Sequence, residues 1–125
     1  NLDRVQMIKG WLDDEGMLHE RIYDIALSDG RKIGRDGRAL KAVGNTVDVA
    51  KASYTNTIGD ATLATYWEDT ELSPEQRAFY YVRVLEIPTP RWTTVDAKLF
   101  KREIPEGAPT SIQERAYTSP IWYTP

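Results

Sequence analysis

The sequence of 125 residues contains no cysteine and a single histidine, His19. Disulfide bonds and thiolate zinc sites are therefore excluded, and one imidazole cannot build a transition-metal site alone. No apolar run approaches the roughly 20 residues that span a bilayer, so we expect no membrane insertion. Lys and Arg number 16 and Asp and Glu number 19, a net charge of −3 with scattered cations, which argues against a nucleic-acid partner.

The sequence patterns of common enzyme chemistry are missing as well. There is no G-x-S-x-G elbow, no G-x-x-x-x-G-K-[ST] loop and no G-x-G-x-x-G. The acidic run Asp13-Asp14-Glu15 lacks the spacing of a calcium loop, so we interpret it as a solvated turn. We predict no catalytic residue, no metal ligand and no cofactor site in this chain, and its sequence leaves open whether the parent protein is an enzyme.

The chain has no initiator methionine and opens almost directly on a strand-like run. We therefore expect it to be a piece of a longer protein. The missing leader leaves the localisation of that parent protein open, with a periplasmic or secreted location among the alternatives.

What the sequence does contain favours β-structure. Residues 4–12 and 17–27 alternate apolar and polar side chains and predict a hairpin, closed by a turn at residues 13–16. Residues 78–87 carry the strongest strand pattern, which we expect at the centre of a sheet. Weaker patterns predict one or two short strands in residues 45–58, a strand at residues 61–68 and a last, edge or bulged strand at residues 112–123, which contains Pro120.

Two segments have helix-start signals. Ser73-Pro74-Glu75-Gln76 predicts a capped helical turn, and the capping-box pattern of residues 93–96 predicts a helix to about Lys101, with one face formed by Val95, Leu99 and Phe100. Together these elements predict one mainly β domain over residues 1–125, an antiparallel, β-sandwich-like domain with one or two short helices. A domain of this length buries roughly two-thirds of its unfolded surface, enough for a hydrophobic core.

Candidate binding residues lie just outside the predicted strand ends. Arg91 and Trp92 supply a planar donor and an amphipathic ring typical of binding hot spots, and Glu114 and Arg115 add a second charged pair, followed by Tyr117. Our hypothesis is a binding site or domain interface at these residues. The alternative is a structural corner in which arginine and glutamate pair within the domain. We expect the aromatic residues inside strands to pack in the core, namely Trp11, Trp67, Tyr80, Tyr81 and Trp122.

The runs RAFYYVRVLEIPTPRWTTVDAKLF and IQERAYTSPIWYTP, with VGNTVDV and SYTNTIG upstream, resemble the C-terminal part of a large bacterial family, domain of unknown function 3604. Its full-length members resemble the PHP (polymerase and histidinol phosphatase) metal-dependent hydrolases. The resemblance implies that a catalytic part with divalent metal ions lies upstream. This chain would then be a C-terminal accessory module that packs on that part, which would hydrolyse phosphate or sulfate esters with a metal-bound water.

Two other functions stay open from the sequence. A free-standing carbohydrate-binding β-sandwich module would use exposed Trp or Tyr rings as stacking platforms. A purely structural interface domain would instead expose a large apolar patch and associate with itself when isolated.

Overall fold

A computed structural model describes residues 1–125 as a mainly β protein with one short helix. Its elements, in chain order, are β1 (Leu2–Leu12), β2 (Leu18–Leu27), β3 (Ala78–Glu86), β4 (Thr89–Pro90), α1 (Trp92–Leu99), β5 (Ser111–Ile112), β6 (Arg115–Tyr117) and β7 (Ile121–Tyr123). The prediction of a mainly β, antiparallel fold is confirmed.

The strands β1, β2, β3, β6 and β7 form one antiparallel sheet. β1 lies between β2 and β3, so that Ile8 faces Ile22 on one neighbour and Tyr81 on the other. The short strands β6 and β7 both pair with the outer side of β3. Beyond the end of β3, β4 and β5 form a separate two-stranded ladder. The predicted hairpin and the central position of β3 are therefore both confirmed.

The hairpin between β1 and β2 closes where the sequence predicts it. The Asp13 amide donates to the Met17 carbonyl over 3.1 Å, and the Met17 amide donates back to the Asp13 carboxylate over 2.7 Å. Gly16 adopts a φ of 78°, a left-handed conformation that costs glycine little. The acidic turn is thus held by hydrogen bonds between its own residues and has a structural role.

Three strand predictions need correction. Residues 61–68 form no strand, and residues 45–58 contribute only an isolated bridge between Asp48 and Ser53. The segment 61–71 instead contacts the sheet through three side chains, those of Trp67, Asp69 and Glu71. The predicted last strand is divided among β5, β6 and β7. Pro120, which has no amide hydrogen to continue a ladder, lies between β6 and β7. Its edge position is confirmed, since β6 and β7 have β3 as their only partner strand.

The helix predicted from residues 93–96 to about Lys101 is confirmed as α1, but its capping, its buried face and the other helix prediction need correction. Residues 73–76 form a single turn, in which the Gln76 amide donates to the Ser73 carbonyl over 3.0 Å. α1 begins at Trp92, with Arg91 at the N-cap position and no capping side chain. The buried helix residue is Thr94, whose hydroxyl donates to the Thr110 carbonyl over 2.8 Å. The face predicted at Val95, Leu99 and Phe100 is exposed to solvent.

The expected hydrophobic core is small. Only 11 of the 125 residues are buried, and the apolar ones are Ile8, Ala78, Leu85 and Ile87. Gly10 and six polar or charged residues make up the rest, including Asp3, which binds the Arg31 guanidinium at 2.6 Å. The chain exposes 8655 Å². A compact monomer of 14.3 kDa exposes about 6,800 Å², so the excess is about 1,850 Å².

The small core has a simple cause in the topology. One sheet carries nearly all the strand pairing, and no second sheet of comparable size packs against it. None of the structure's helices has the length and apolarity needed to cross a membrane.

Candidate functional site

The two faces of the five-stranded sheet differ in what lies over them. On one, which we call the covered face, Lys9 and Tyr80 lie beneath a loop that carries Trp67 and Asp69. The Lys9 ammonium binds the Asp69 carboxylate at 2.6 Å, and the Tyr80 hydroxyl donates to the same carboxylate over 2.7 Å. The Trp67 ring lies 5.2 Å from that of Tyr23. The loop is therefore joined to the sheet by a nearly buried ion pair and by the contact between the Trp67 and Tyr23 rings.

The pKa values of this cluster follow from its geometry. Burial acts to raise the pKa of the Asp69 carboxyl, but hydrogen bonds from Lys9 and Tyr80 outweigh it, and the pKa lies below the usual 3.8. Burial, and the bond to ionised Asp69, raise the pKa of the Tyr80 hydroxyl well above its usual 10. The cluster therefore holds a carboxylate and a neutral phenol at neutral pH, a stable arrangement that suits a structural role.

On the opposite face, four aromatic rings form a line across the strands, which we call the aromatic row: Tyr117, Tyr81, Phe79 and Trp122. Successive ring centroids lie 6.2, 6.4 and 5.3 Å apart. Phe79 lies directly over Gly10 on β1, where an added Cβ would stand 2.3 Å from its ring. Glycine is thus required at position 10 for the ring to lie flat on the sheet.

The aromatic row is open to solvent at both ends, while Phe79 and Tyr81 at its centre are half-buried. Trp122 is 71% exposed and Tyr117 is 57% exposed, and the neighbouring Leu12 and Leu18 are exposed as well. A cavity of about 330 Å³ beside the row is lined by Gly10, Leu12, Phe79 and Trp122, with Arg77 at the same site. The lining of this cavity combines apolar side chains with a single cation, Arg77.

The residues singled out from the sequence lie along one ribbon but at different places. Residues 86–91 run antiparallel to residues 110–114, so that the Glu86 amide donates to the Glu114 carbonyl and the Arg91 amide to the Thr110 carbonyl, each over 3.0 Å. Arg91 and Glu114 are therefore about five residues, or roughly 16 Å, apart along the ribbon. The structure does not bring the two predicted pairs together into one site.

The three charged side chains among these residues have no ionic partner in the chain. Arg91, Glu114 and Arg115 make no ion pair, so the alternative of a structural corner held by an internal arginine–glutamate pair is not what the structure contains. Trp92 is 66% exposed at the start of α1. Of the five predicted residues, only Tyr117 belongs to the aromatic row. Their role in binding stays a prediction.

Sequence reasoning missed most of the aromatic row. Tyr81 and Trp122 were expected to lie in the core, where strand aromatics usually pack. The signal that could have found the row is Gly10, since a glycine inside a strand often marks the close approach of another group. The other three aromatic residues expected in the core lie at the covered face: Trp11, Trp67 and Tyr80. There the Lys9 ammonium approaches the rings of Trp11 and Tyr80.

The chain's acidic and imidazole groups do not fit a centre for two or three divalent metals. No three His, Asp or Glu side chains lie close enough together to hold an ion. His19 forms a pair with Asp13 alone, at 2.6 Å on the β1–β2 turn, and its hydrogen bond is the main cause that lowers the pKa of the Asp13 carboxyl.

Comparison with known proteins gives one match. No curated protein and no solved structure matches the chain. A family model described as "Protein of unknown function (DUF3604)" matches residues 1–125, which is the whole length of the chain. The match agrees with the resemblance carried by the segments around β3 and β6. The chain therefore belongs to the DUF3604 family.

Proposed function

We propose that this chain is the C-terminal accessory module of a larger, PHP-like metal-dependent hydrolase and that it docks on a catalytic part supplied by upstream sequence. The observation that carries the proposal is the excess of exposed area, about 1,850 Å² over a compact monomer of the same mass. Obligate interfaces bury about 1,000 to 2,500 Å² on each partner. Docking on a larger body would cover an area of this size.

In this proposal the metal ligands belong to the upstream part. A divalent ion bound there would activate a water for attack on a phosphate or sulfate ester. Because the chain's own carboxylates and its histidine do not fit such a centre, we assign them no step in the reaction. The chain's contribution is to stabilise the catalytic part and to border its pocket.

The border residues we propose are Arg91, Trp92, Glu114 and Arg115. Their charged groups have no ionic partner inside the chain, and Trp92 is largely exposed. A guanidinium can bind two oxygens of a carboxylate or of an anionic ester at once, so Arg91 and Arg115 are suited either to pair with the catalytic part or to hold the substrate at its rim. Because the two pairs lie apart on the ribbon, we expect them to act as separate contacts.

The first test is hydrolysis of aryl phosphate and aryl sulfate esters, with and without Mn²⁺, by this chain and by the protein with its upstream sequence. We expect turnover by the longer protein alone, and only with the metal. Turnover by the 125-residue chain would contradict the proposal.

The second test replaces the rim arginines in the longer protein. Arg91→Ala and Arg115→Ala should each lower kcat/KM by about tenfold, the size expected from losing a hydrogen bond to a charged group, or lower the melting temperature if they hold the parts together. Arg35→Ala is the matched control, because Arg35 is exposed and makes no ion pair in the chain. Unchanged kinetics and melting in both variants would overturn the proposed role.

A second candidate function is carbohydrate binding. The exposed rings of Trp92, Tyr117 and Trp122 favour it, since sugar rings stack on such platforms. Titration with soluble oligosaccharides, followed by tryptophan fluorescence, tests it directly. A saturable spectral shift would support a binding module, and the absence of any shift would count against one.

A further inference from the structure

We propose that the aromatic row is the surface through which this module docks on the upstream part of its own polypeptide, and that carboxylates of that part meet Arg77 and Arg115 at the two ends of the row. This inference rests on the proposed function and adds the location and chemistry of the interface. It commits to a protein partner that is apolar at the centre and acidic at its margins.

The apolar character of the surface is the first argument. Trp122 and Tyr117 lie at the ends of the row, and their rings are more than half exposed although they continue the ring packing of Phe79 and Tyr81. Aromatic residues left open in this way are typical of interface hot spots. Covering them would remove large apolar side chains from water.

The surroundings of the row favour protein over sugar. Leu12 and Leu18 are paired with each other across β1 and β2 and extend the row on the same face as Gly10. The rings of Trp122 and Tyr117 are tilted by 45° and 40° against their neighbours. The two central rings, Phe79 and Tyr81, lie within 7° of parallel, so the row is level at its centre and tilted at both ends. Such an uneven aromatic surface with aliphatic neighbours suits the side chains of a folded protein better than a run of flat sugar rings.

Charge is the second argument for the partner. Arg77 lines the cavity beside Trp122, and Arg115 lies two residues before Tyr117 on the same strand face. Neither guanidinium makes an ion pair or donates a side-chain hydrogen bond within the chain, although the chain as a whole is acidic, with a net charge of −3. Two unpaired cations at the ends of an apolar row complement a surface with acidic margins, and they disfavour an identical acidic copy as the partner.

The experiment is hydroxyl-radical labelling of the full-length protein, which compares side chains of the same chemistry. Tyr117 and Tyr66 are 57% and 85% exposed in the chain by itself, and Tyr66 lies outside the row. If nothing covers the row, Tyr117 should be labelled about two-thirds as much as Tyr66, in proportion to these exposures. If the row is docked, we expect Tyr117 to be labelled about tenfold less than Tyr66, because a buried interface centre excludes solvent.

Charge reversal tests the two arginines. Arg77→Glu and Arg115→Glu should each raise Tyr117 labelling several-fold by placing like charges together, while Arg35→Glu should leave it unchanged. Protection of Tyr117 that is unaffected by both reversals would overturn the acidic margins that we assign to the partner.

Three results would overturn the docking surface itself. The first is labelling of Tyr117 in proportion to its exposure. The second is labelling suppressed only by added oligosaccharide, which would assign the row to carbohydrate. The third is protection that disappears on dilution, which would assign it to a second copy. A full-length protein that protects Tyr117 but hydrolyses no ester would refute the proposed reaction and leave the docking surface standing, and the converse result would do the opposite.

Discussion

The two faces of the central sheet both carry aromatic and charged residues, yet the chain covers their aromatic side chains to different extents. Over the covered face, Asp69 neutralises Lys9 and Trp67 covers Tyr23. In the aromatic row, Phe79 and Tyr81 are half-buried, whereas Trp122 and Tyr117 at its ends remain in water. The difference separates the contacts that hold this chain together from the surface that we propose for a partner.

The covered face also shows how a chain with few buried apolar residues maintains its fold. A nearly buried ion pair and a phenol hydrogen bond fasten a long irregular segment to the sheet. Such a pair adds little to stability when intact, because desolvation offsets the attraction, but breaking it leaves a buried charge without a partner. Variants on the two faces should therefore behave differently.

The largest effect is expected on the covered face. Asp69→Ala would leave the Lys9 ammonium, 4% exposed, without its counter-ion, and should lower the free energy of unfolding by about 3 to 5 kcal/mol. Urea denaturation followed by tryptophan fluorescence measures the change. Adding Lys9→Met to Asp69→Ala should restore much of the loss. Asp14→Ala, at an exposed turn residue, is the control, and an equal effect of Asp69→Ala and Asp14→Ala would contradict the prediction.

A smaller effect is expected beneath the aromatic row. Gly10→Ala places a Cβ 2.3 Å from the Phe79 ring, so the ring must tilt off the sheet, at a cost of about 1 to 3 kcal/mol. Thermal unfolding followed by circular dichroism measures it. The double variant with Phe79→Leu should recover part of the loss because the flat ring is gone. A Gly10→Ala protein as stable as the wild type would show that Phe79 does not lie over Gly10.

The smallest effect on stability is expected from a change of pH near neutrality, because Asp69 stays ionised and Tyr80 stays neutral there. The lowered pKa of Asp69 means that its contribution is complete above the usual 3.8 and is lost as the pH falls through the folded-state value. The raised pKa of Tyr80 means that its contribution is complete below 10 and is lost at higher pH.

Unfolding free energies measured from acid to alkaline pH check both contributions: the one lost at low pH, the acid arm, and the one lost at high pH, the alkaline arm. Asp69→Asn should flatten the acid arm and Tyr80→Phe the alkaline arm, each relative to the wild type. The comparison must be with the wild type because Asp13 and Asp48 also have lowered pKa values and contribute to the acid arm. Parallel curves for the wild type and Asp69→Asn would contradict the assignment.

Local patterns in the sequence predicted the elements that depend on neighbouring residues. The β1–β2 hairpin and β3 follow from alternating side chains, and the turn at Gly16 follows from the need for a positive φ. The division of the last strand was not predicted, although Pro120 was expected to make it an edge or bulged strand. Residues 61–68 alternate like a strand, but Trp67 and Asp69 are used as side-chain contacts on the sheet, a choice that depends on where Lys9 and Tyr23 lie.

The candidate site could be predicted only in part for the same reason. Tyr117 was singled out because it follows Glu114 and Arg115 in the chain, and it does lie in an exposed aromatic group. Its neighbours in that group come from β3 and β7, and no spacing in the sequence indicates which face of a strand is left uncovered.

The sequence by itself thus determined the β class, the central strand, the absence of any thiol chemistry and the family, since these depend on composition, alternation and motif. Only the tertiary structure decided that the core is small, that Asp69 pairs with Lys9 and that the aromatic row faces solvent. The physical reason is that strand patterns specify two faces, but which of the two is buried depends on the segments that fold back over the sheet, and those contacts join residues far apart in the chain.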